Sequence, residues 1–409
     1  MFCLSFRRVF PLVFIATFIT LCSFLIFNIT RSNIQHKPLG SSVGSGFKAA
    51  LFRSLNGIAV GQEVRHIGFV KVHKAASSTM QNLFFRFGIR RNLTFVFTTN
   101  PNYFSKKYNS SYPVVKPTKR DTHDILCVHG IFNEDLYAEV LPEDSVYIGI
   151  VRDPIETFIS AVNYYSQPSQ LLPYLQKIPG NKLHNLIEQT DMYEEDFFSY
   201  TKNVMARDFG FRNTTDPVLV QKRLTELDQK FRLVLISEYF DESLVLMRRY
   251  LHWNIKDILY IANNVFSSKK WTISTLNETH INTLKHRNSL DFEVYNFFYK
   301  RFWEMFRGEG DDIHSEVLRF KEILRMVKPF CNRVSNATNT PMHTKDHVPN
   351  KGLAFNKSHV SDRLVIDTSR WNDAFEIRTL DCKLMTKDEL TFIKLLRRLQ
   401  GSVINETLY

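Results

Sequence analysis

The sequence has few of the residues that define metal sites and phosphate-binding loops of the Walker type. Only five of its 409 residues are cysteine, and no Cys/His spacing fits a zinc site. The Gly-x-x-x-x-Gly-Lys-Ser/Thr pattern is absent, as are an Asp-x-Asp pair and any internal repeat. These absences argue against a zinc-binding protein, a P-loop kinase, an Asp-x-Asp glycosyltransferase and a repeat protein.

The composition is that of a globular protein with an excess of basic residues. Hydrophobic residues make up 44% and charged residues 23% of the chain, so it is not expected to be disordered. The length allows one large domain or two smaller ones. The net charge of +12 suits an anionic nucleotide, an acidic glycan or an anionic membrane surface. Nucleic acid is not predicted as a partner, because no basic-aromatic binding module is present.

An apolar segment near the N-terminus predicts a membrane anchor. Residues 9–27 carry no charge, and this length just spans a bilayer. Arg7 and Arg8 precede the segment, which favours a cytoplasmic N-terminus. A cleaved signal peptide is the alternative, but the apolar run is long for one and no clear Ala-x-Ala site follows it. The prediction divides the chain into a cytoplasmic tail, a transmembrane signal anchor, a lumenal stem and a globular domain, over residues 1–8, 9–27, 28–62 and 63–409.

Sequons and cysteines agree with a lumenal location. Eight Asn-x-Ser/Thr sequons are present, of which the one at Asn28 lies too near the membrane to count. The predicted glycosylation sites are Asn92, Asn109, Asn213, Asn277, Asn336, Asn356 and Asn405. Among the three lumenal cysteines, Cys127 lies in an apolar run and is interpreted as a buried thiol. In an oxidising lumen, a disulfide between Cys331 and Cys382 is then the favoured pairing.

Alternating apolar runs and helical patterns indicate an α/β fold. The predicted buried strands are Ile67–Val72, Asp124–Val128, Ser145–Val151 and Phe231–Ser237. The helical patterns between and after them are Ser77–Phe87, Ile155–Tyr165 and Glu242–Leu251. This order predicts a mostly parallel sheet with helices on both faces. Ligands of such sheets bind beyond the carboxyl ends of the strands, so the loops after the first three strands are expected to form the site.

The C-terminal third is predicted to be mainly helical. Aromatic residues follow three- and four-residue steps between residues 291 and 327, a pattern more typical of core than of a ligand site. Residues 335–360 are polar and irregular and are predicted to form a surface loop. Thr386 and Glu389 form a capping-box pattern before a helix over Leu390–Leu399, which Gly401 can end.

The first predicted strand runs into a basic turn and then into small hydroxyl residues. Lys71, His73 and Lys74 supply positive charge or hydrogen-bond donors, and Ser77, Ser78 and Thr79 open the next helix. A helix N-terminus that follows a strand in this way favours phosphate or sulfate. The alternative is an ordinary turn with a serine N-cap.

A second motif follows the third predicted strand. Asp153 can cap the next helix and Pro154 suits its first position. Arg152 presents a guanidinium that can hold a phosphate with two hydrogen bonds, and Ser160 lies one or two turns further along the helix. Taken alone, Arg-Asp-Pro is a common turn. Together the two motifs match a nucleotide with phosphate groups at two places, namely 3′-phosphoadenylyl sulfate.

At these motifs the chain resembles the Golgi membrane sulfotransferases and, among them, the galactose-3-O-sulfotransferase family, which includes galactosylceramide sulfotransferase. The family more often has Thr-Gly where this chain has Ala75-Ala76. The resemblance covers most of residues 63–400 and is carried by Phe69–Thr79, Leu83–Phe87, Cys127–His129, Val151–Pro154 with Phe158 and Ser160, Phe231–Leu244, Trp253, Asp257–Tyr260, Phe302-Trp303 and Cys382.

The resemblance implies a P-loop-like sulfotransferase fold and a set of donor contacts. It assigns the 5′-phosphosulfate loop to Lys71, His73, Lys74, Ala75, Ala76, Ser77, Ser78 and Thr79, and the 3′-phosphate site to Arg152 and Ser160. His73 and His129 are expected near the reacting centre. No obligatory metal is expected, and the oligomeric state is left open, a homodimer included.

The chemistry assigns roles to these residues. Negative charge builds on the leaving oxygen, where Lys74 and the loop N–H groups should stabilise it. A neutral imidazole can accept the proton of the attacking hydroxyl, with His73 as the first choice and His129 as the second. The alternatives are that His73 only binds sulfate oxygens and that His129 is a packed or acceptor-contacting residue.

The predicted protein is thus a Golgi type II enzyme that sulfates the 3-hydroxyl of a terminal β-galactose on a glycolipid or glycoprotein. Its predicted partners are that acceptor and the Golgi membrane. A sulfotransferase acting on a uronic acid or hexosamine and a non-catalytic glycan-binding relative are the alternatives.

Overall fold

A computed structural model describes residues 61–116, 122–168, 172–189, 199–262 without 213 and 215, 270–338 and 363–401. The predicted tail, the predicted anchor, nearly all of the stem and most of the predicted loop at 335–360 lie outside the described residues, as do the sequons at Asn28, Asn213, Asn356 and Asn405. None of the described helices combines the length and the apolar character that a membrane crossing requires. Within the described part, Asn92, Asn109 and Asn277 are exposed.

The described residues form eight strands and thirteen α-helices. The strands are β1 (Ile67–Phe69), β2 (Phe97–Thr98), β3 (Val114–Val115), β4 (Ile125–Leu126), β5 (Val146–Val151), β6 (Phe231–Ile236), β7 (Arg363–Ile366) and β8 (Phe375–Arg378). The helices are α1 (Ser77–Arg91), α2 (Glu134–Ala138), α3 (Pro154–Tyr165), α4 (Pro173–Lys177), α5 (Lys182–Glu188), α6 (Val204–Asp208), α7 (Pro217–Lys230), α8 (Phe240–Leu251), α9 (Glu278–Arg287), α10 (Ser289–Gly308), α11 (Asp312–Thr338), α12 (Thr379–Met385) and α13 (Glu389–Leu399).

The four predicted strands form one parallel sheet in the order β4-β1-β5-β6. Every residue of β5 is buried, so both faces of this central strand are covered, as expected for a parallel sheet between helices. The predicted fold class is confirmed in this respect. Two antiparallel pairs, β2-β3 and β7-β8, lie outside the main sheet and were not predicted.

The first and second predicted strands are shorter than expected. β1 ends at Phe69, since the N–H of Val72 turns back to the carbonyl of Val70 at 3.0 Å instead of continuing the ladder. The carboxyl ends of β1, β4 and β5 lie at one edge of the sheet because the strands are parallel. The loops that follow them therefore meet there.

The helix starts show which capping predictions hold. Asp153 caps α3, accepting hydrogen bonds from the N–H groups of Ile155 and Glu156, and Pro154 is the first helical residue, as predicted. The predicted capping box at Thr386 is wrong. Thr386 is the C-cap of α12, and Asp388 caps α13 by accepting from the N–H of Thr391. Asp388, one residue before α13, is close enough to cap the helix, so Thr386 is not needed as the cap.

The helical region after residue 289 divides into α10 and α11. The break includes Gly310, whose φ of +88° suits glycine and ends a helix. Phe298, Phe302 and Phe306 are buried on one side of α10, so the aromatic stripe is core, as predicted. Cys331 of α11 and Cys382 of α12 form the favoured disulfide, and Cys127 is a buried free thiol.

Candidate active site

The loop between β1 and α1 adopts a backbone that few non-glycine residues adopt. Lys74 and Ala76 have φ angles of 60° and 58°. Ala76 is the N-cap of α1, and no side chain caps the helix there. The first N–H groups of α1 thus have no intrahelical acceptor, and the helix end carries partial positive charge. The turn is one at which glycine would be unstrained.

The small hydroxyl residues of this loop hold its shape. Ser77 Oγ donates a hydrogen bond to the carbonyl of Val72 at 2.5 Å, and Ser78 Oγ donates to Glu389 Oε2 at 2.9 Å. Ala75 and Thr79 are buried. The hydroxyls of Ser77 and Ser78 are therefore used inside the protein. The backbone N–H groups and Lys74 are the parts of the loop that remain for an anion.

Lys74 is a half-buried cation with an aromatic neighbour. Its Nζ lies 3.6 Å from the centre of the Tyr164 ring, and it forms no ion pair with any carboxylate among the described residues. Burial, together with the charges of Arg152 and Lys71, lowers the pKa of Lys74 to about 7, although Glu389 acts in the opposite sense. An ammonium group without a carboxylate partner, close to two further cations, fits a highly charged anion such as a phosphosulfate.

The structure brings the second motif to the first. Arg152 Nη1 donates to the carbonyl of Lys74 at 3.1 Å, and Nη2 donates to Glu156 Oε2 at 3.0 Å. The guanidinium thus braces the strained residue of the loop while it also forms an ion pair within α3. Ser160 is half-buried nearly two turns into α3, and its side chain makes no hydrogen bond to any described residue. Arg152 thus contacts the loop of the first motif at Lys74.

His73 is held by an aspartate that the sequence analysis did not single out. Asp208 Oδ2 accepts hydrogen bonds from the backbone N–H of His73 at 2.8 Å and from its Nδ1 at 2.6 Å. Asp208 Oδ1 accepts from Arg207 Nη2 at 3.0 Å. Burial raises the pKa of Asp208, but His73 and Arg207 outweigh that effect, so its pKa is lowered and it is ionised.

This pairing fixes the tautomer of His73. An ionised carboxylate only accepts hydrogen bonds, so Nδ1 carries the proton and Nε2 keeps its lone pair. His73 Nε2 is buried and has no hydrogen-bond partner among the described residues. Burial lowers the pKa of His73 more than Asp208 raises it, so the imidazole is neutral at neutral pH. A neutral ring with a fixed tautomer and a free lone pair is the arrangement of a general base.

His129 lies beside His73 but differs in its hydrogen bonds. The two rings stack with centroids 4.0 Å apart. His129 Nδ1 donates to the carbonyl of Lys71 at 3.0 Å, so its Nε2 accepts from Lys71 Nζ at 2.7 Å. Its only lone pair is therefore engaged, and burial and the Lys71 charge place the pKa of His129 well below its usual value. This arrangement favours His73 over His129 as the base and gives His129 the packed role.

Lys71 lies beneath the loop. Its side chain is 1% exposed, and its Nζ contacts His129 Nε2 and, at 2.9 Å, Glu389 Oε1. The resemblance assigns Lys71 to the phosphosulfate loop. In this structure its ammonium group is enclosed by these two partners, so it supports the loop from within.

Comparison with known proteins identifies the family. The model of the galactose-3-O-sulfotransferase family matches residues 5–353. The chain belongs to this family. It is 33% identical over 287 residues to mouse galactose-3-O-sulfotransferase 2, covering 66% of this chain and 70% of that protein. It is 30% identical over 278 residues to human galactosylceramide sulfotransferase, covering 66% of this chain and 64% of that protein.

A third relative, mouse galactose-3-O-sulfotransferase 3, is 32% identical over 254 residues, covering 60% of this chain and 58% of that protein. The matches thus span less than two thirds of the second and third relatives. The family predicted from the sequence is confirmed. His73, Lys74, Arg152 and Asp208 all fall within the part of the chain that the family model matches.

A cleft of about 220 Å³ opens next to His73 in this member of the sulfotransferase family. Asp208 and Arg207 line the cleft with His73, and Tyr103 and Tyr200 contribute aromatic rings. The Tyr200 ring meets the His73 ring edge-on, with centroids 5.1 Å apart. Aromatic rings beside hydrogen-bonding groups suit a sugar, whose C–H face packs on a ring while its hydroxyls form hydrogen bonds.

The residues that sequence reasoning missed are distant partners of predicted ones. Asp208 is 135 residues from His73, and Glu389 is 318 residues from Lys71. Asp208 lies in no motif with its own chemical signature, and Glu389 belongs only to a capping-box pattern, which does not indicate a contact with Lys71. In a single sequence no signal pairs them, because the sheet and helices bring them together only in the folded protein.

Proposed function

We propose that this protein transfers a sulfuryl group from 3′-phosphoadenylyl sulfate to the 3-hydroxyl of a terminal β-galactose on a glycolipid or glycoprotein. The names of its relatives refer to galactose and galactosylceramide as acceptors. The observation that carries the proposal is the free Nε2 of His73, which Asp208 orients and which lies in the same loop as Lys74, an ammonium group without a carboxylate partner among the described residues.

The acceptor galactose occupies the cleft lined by His73, Tyr103 and Tyr200. His73 Nε2 accepts the proton of the 3-hydroxyl as its oxygen bonds to sulfur, and the bond from sulfur to the bridging phosphate oxygen breaks. Asp208 keeps the imidazole in the accepting tautomer and stabilises the cation that forms. This base contributes about 10²–10⁴-fold to the rate.

The donor lies along the loop and the start of α3. The N–H groups at the N-terminus of α1 and the Lys74 ammonium stabilise the charge that develops on the leaving phosphate oxygen. Arg152, with Ser160, holds the 3′-phosphate. The absence of an obligatory metal stays a prediction from the sequence.

The setting of the reaction is the Golgi lumen. The uncharged segment at residues 9–27 after two arginines supports a type II membrane anchor, and the exposed sequons at Asn92, Asn109 and Asn277 support a lumenal domain.

The test measures transfer of label from the ³⁵S-labelled donor by the full chain to a panel of galactosides and of uronic-acid glycans. Label is expected on galactosides with a free 3-hydroxyl and not on 3-O-methyl galactosides. Label on uronic-acid glycans alone would refute the acceptor assignment.

The base assignment is tested with three variants in the same assay. His73→Ala and Asp208→Asn are expected to reduce kcat by about 10²–10⁴-fold, with donor binding retained. In the Asn variant the amide cannot hold the required tautomer. His129→Gln is the control, because it removes the neighbouring ring and leaves His73 in place. Its loss of kcat is expected to be smaller than that of His73→Ala. A His129 effect larger than the His73 effect would reverse the assignment.

A further inference from the structure

The last described helix, α13, contacts the start of α1 and the loop before it through one carboxylate. We call this loop, residues 70–76 between β1 and α1, the donor loop. Glu389, the first residue of α13, accepts a hydrogen bond from Lys71 Nζ on Oε1 and one from Ser78 Oγ on Oε2, each at 2.9 Å. The Glu389 side chain is 16% exposed. One carboxylate thus joins the segment after β1 to the first turn of α1.

Glu389 is the only carboxylate in ion-pair contact with Lys71 among the described residues. The other partner of the Lys71 ammonium is the neutral ring of His129. Removing one partner of a buried ion pair leaves an uncompensated charge, which disturbs the structure more than an exposed pair would. Without Glu389, the uncompensated charge would lie directly under the donor loop.

Contacts with α1 fix the position of Glu389. Asn82 Nδ2 of α1 donates to the carbonyl of Leu384 in α12 at 3.0 Å and to that of Lys387, just before α13, at 3.4 Å. The rings of Phe85 and Phe392 pack with centroids 5.1 Å apart. Asp388 caps α13 immediately before Glu389. The Glu389 carboxylate is therefore part of a helix, α13, that packs against α1, the helix whose Ser78 it contacts.

We propose that Glu389 is a positioning residue for sulfuryl transfer, supplying the counter-charge of Lys71 and fixing Ser78 so that the donor loop is complete only when α13 is docked. This inference rests on the proposed function. It extends the site beyond residue 353, where the match to the family model ends.

Glu389 also acts on Lys74 through space. The charged and titratable groups around Lys74 are Lys71 below the loop, Arg152 and Tyr164 from β5 and α3, and Glu389 from α13. Among these, Glu389 favours the protonated lysine. Its removal should lower the pKa of Lys74 and move the loss of activity at alkaline pH to lower pH.

The test compares Glu389→Gln with the wild-type full chain. The variant is expected to raise KM for the donor, and Kd for 3′-phosphoadenosine 5′-phosphate, by about tenfold, with KM for the galactoside nearly unchanged. In the variant, kcat/KM for the donor should begin to fall at a lower pH than in the wild type; we call this fall at high pH the alkaline limb. Wild-type values for donor KM, nucleotide Kd and the alkaline limb would overturn the inference.

Glu316→Gln is the matched control. Glu316 is also a buried carboxylate paired with cations, since Oε2 accepts from Arg249 Nε at 2.6 Å, but it contacts no residue of the site. It is expected to lower the unfolding temperature without moving the donor KM or the alkaline limb. Equal changes in both variants would show that Glu389 acts only through general stability, and would also overturn the inference.

Lys71→Met/Glu389→Gln removes both charges and keeps the inference testable if Glu389→Gln does not fold. The double variant should fold, because no buried charge remains unpaired. The effects of the two single substitutions on the Kd for 3′-phosphoadenosine 5′-phosphate should not be additive in it. It should still bind the nucleotide less tightly than the wild type, since Ser78 loses its carboxylate; wild-type binding would refute the inference. Absence of transfer by the wild type would refute the proposed function instead.

Discussion

At the scale of single residues, the donor loop is held in a strained form by its neighbours. Lys74 and Ala76 both lie in the left-handed region, where a side chain costs about 1–2 kcal/mol per residue. Arg152 donates to the Lys74 carbonyl, and Ser77 donates to the carbonyl of Val72. Such strain persists only where the surroundings impose it, and it concentrates at functional sites. Residues assigned to anion binding therefore also maintain the backbone.

Lys74 should give the reaction a pH dependence of its own. Its pKa is lowered to about 7, so the free enzyme loses this charge as the pH rises through that value. We expect kcat/KM for the donor, which reports the free enzyme, to fall above about pH 7. Lys74→Arg keeps its charge at all these pH values and should lack this alkaline limb, even if its rate at pH 7 is lower. The measurement is kcat/KM for the donor from pH 6 to 9, and an identical limb in both proteins would contradict the assignment.

The residue scale also shows what one sequence can reveal about a site. Residue type and spacing were enough to single out His73, Lys74 and Arg152, because each follows a strand at the edge where parallel strands end. The choice between His73 and His129 depends on which ring nitrogen is engaged, and that is decided by Asp208 and Lys71. Those contacts join distant parts of the chain and cannot be read from local patterns.

At the scale of elements, the central strand and a short helix place the aspartate. Gly149 in β5 leaves room for the ring of Phe209, since a Cβ there would lie 2.6 Å from Phe209 Cζ. Phe209 directly follows Asp208 at the end of α6 and packs on Phe231 of β6. The missing side chain on the strand thus sets how closely α6, and with it Asp208, approaches the sheet.

Gly149→Ala should therefore reduce both stability and turnover. The added methyl group forces Phe209 away, which typically costs about 1–3 kcal/mol, and it should move Asp208 relative to His73. Gly88→Ala is the control, since its Cβ would meet Phe95, whose ring packs on Phe85 and Phe97 and not on Asp208 or His73. Unfolding by denaturant and kcat at a temperature well below unfolding are measured for both. Equal losses of kcat at equal stability would show that Phe209 does not position Asp208.

Elements with strong apolar patterns were predictable, and their ends were less so. The strands of the main sheet and helix α3 lie within a residue or a few of the predicted bounds, because apolar runs and an Asp-Pro cap are local signals. The capping box at Thr386 failed because Asp388 offers a nearer cap. The two small antiparallel pairs, whose strands are two to four residues long, were not predicted.

At the scale of the whole molecule, the last described segment, α12 and α13, packs against the donor loop and α1 without being part of the main sheet. The Cys331–Cys382 disulfide joins α12 to α11, and α12 leads through a short turn to α13 and Glu389. Arg90 Nη2 of α1 also donates to Asp381 Oδ1 at 2.9 Å. The donor loop therefore depends on a segment that a covalent bond ties to the rest of the domain.

Loss of this disulfide should weaken donor binding as well as stability. The two cysteines are 51 residues apart, and a cross-link of this span typically contributes about 2–4 kcal/mol by restricting the unfolded chain. Cys331→Ala/Cys382→Ala is expected to lower the denaturant midpoint by a corresponding amount and to abolish its sensitivity to reductant. Because α12 is then less firmly held, the Kd for 3′-phosphoadenosine 5′-phosphate should rise at temperatures where the protein is still folded.

Cys127→Ala is the control, since it removes a buried thiol and leaves the disulfide intact, so the midpoint should stay sensitive to reductant. A wild-type midpoint and nucleotide affinity that do not change with reductant would show that α12 and α13 stay docked without the bond, and that the hydrogen bonds and ring contacts with α1 are sufficient to complete the loop.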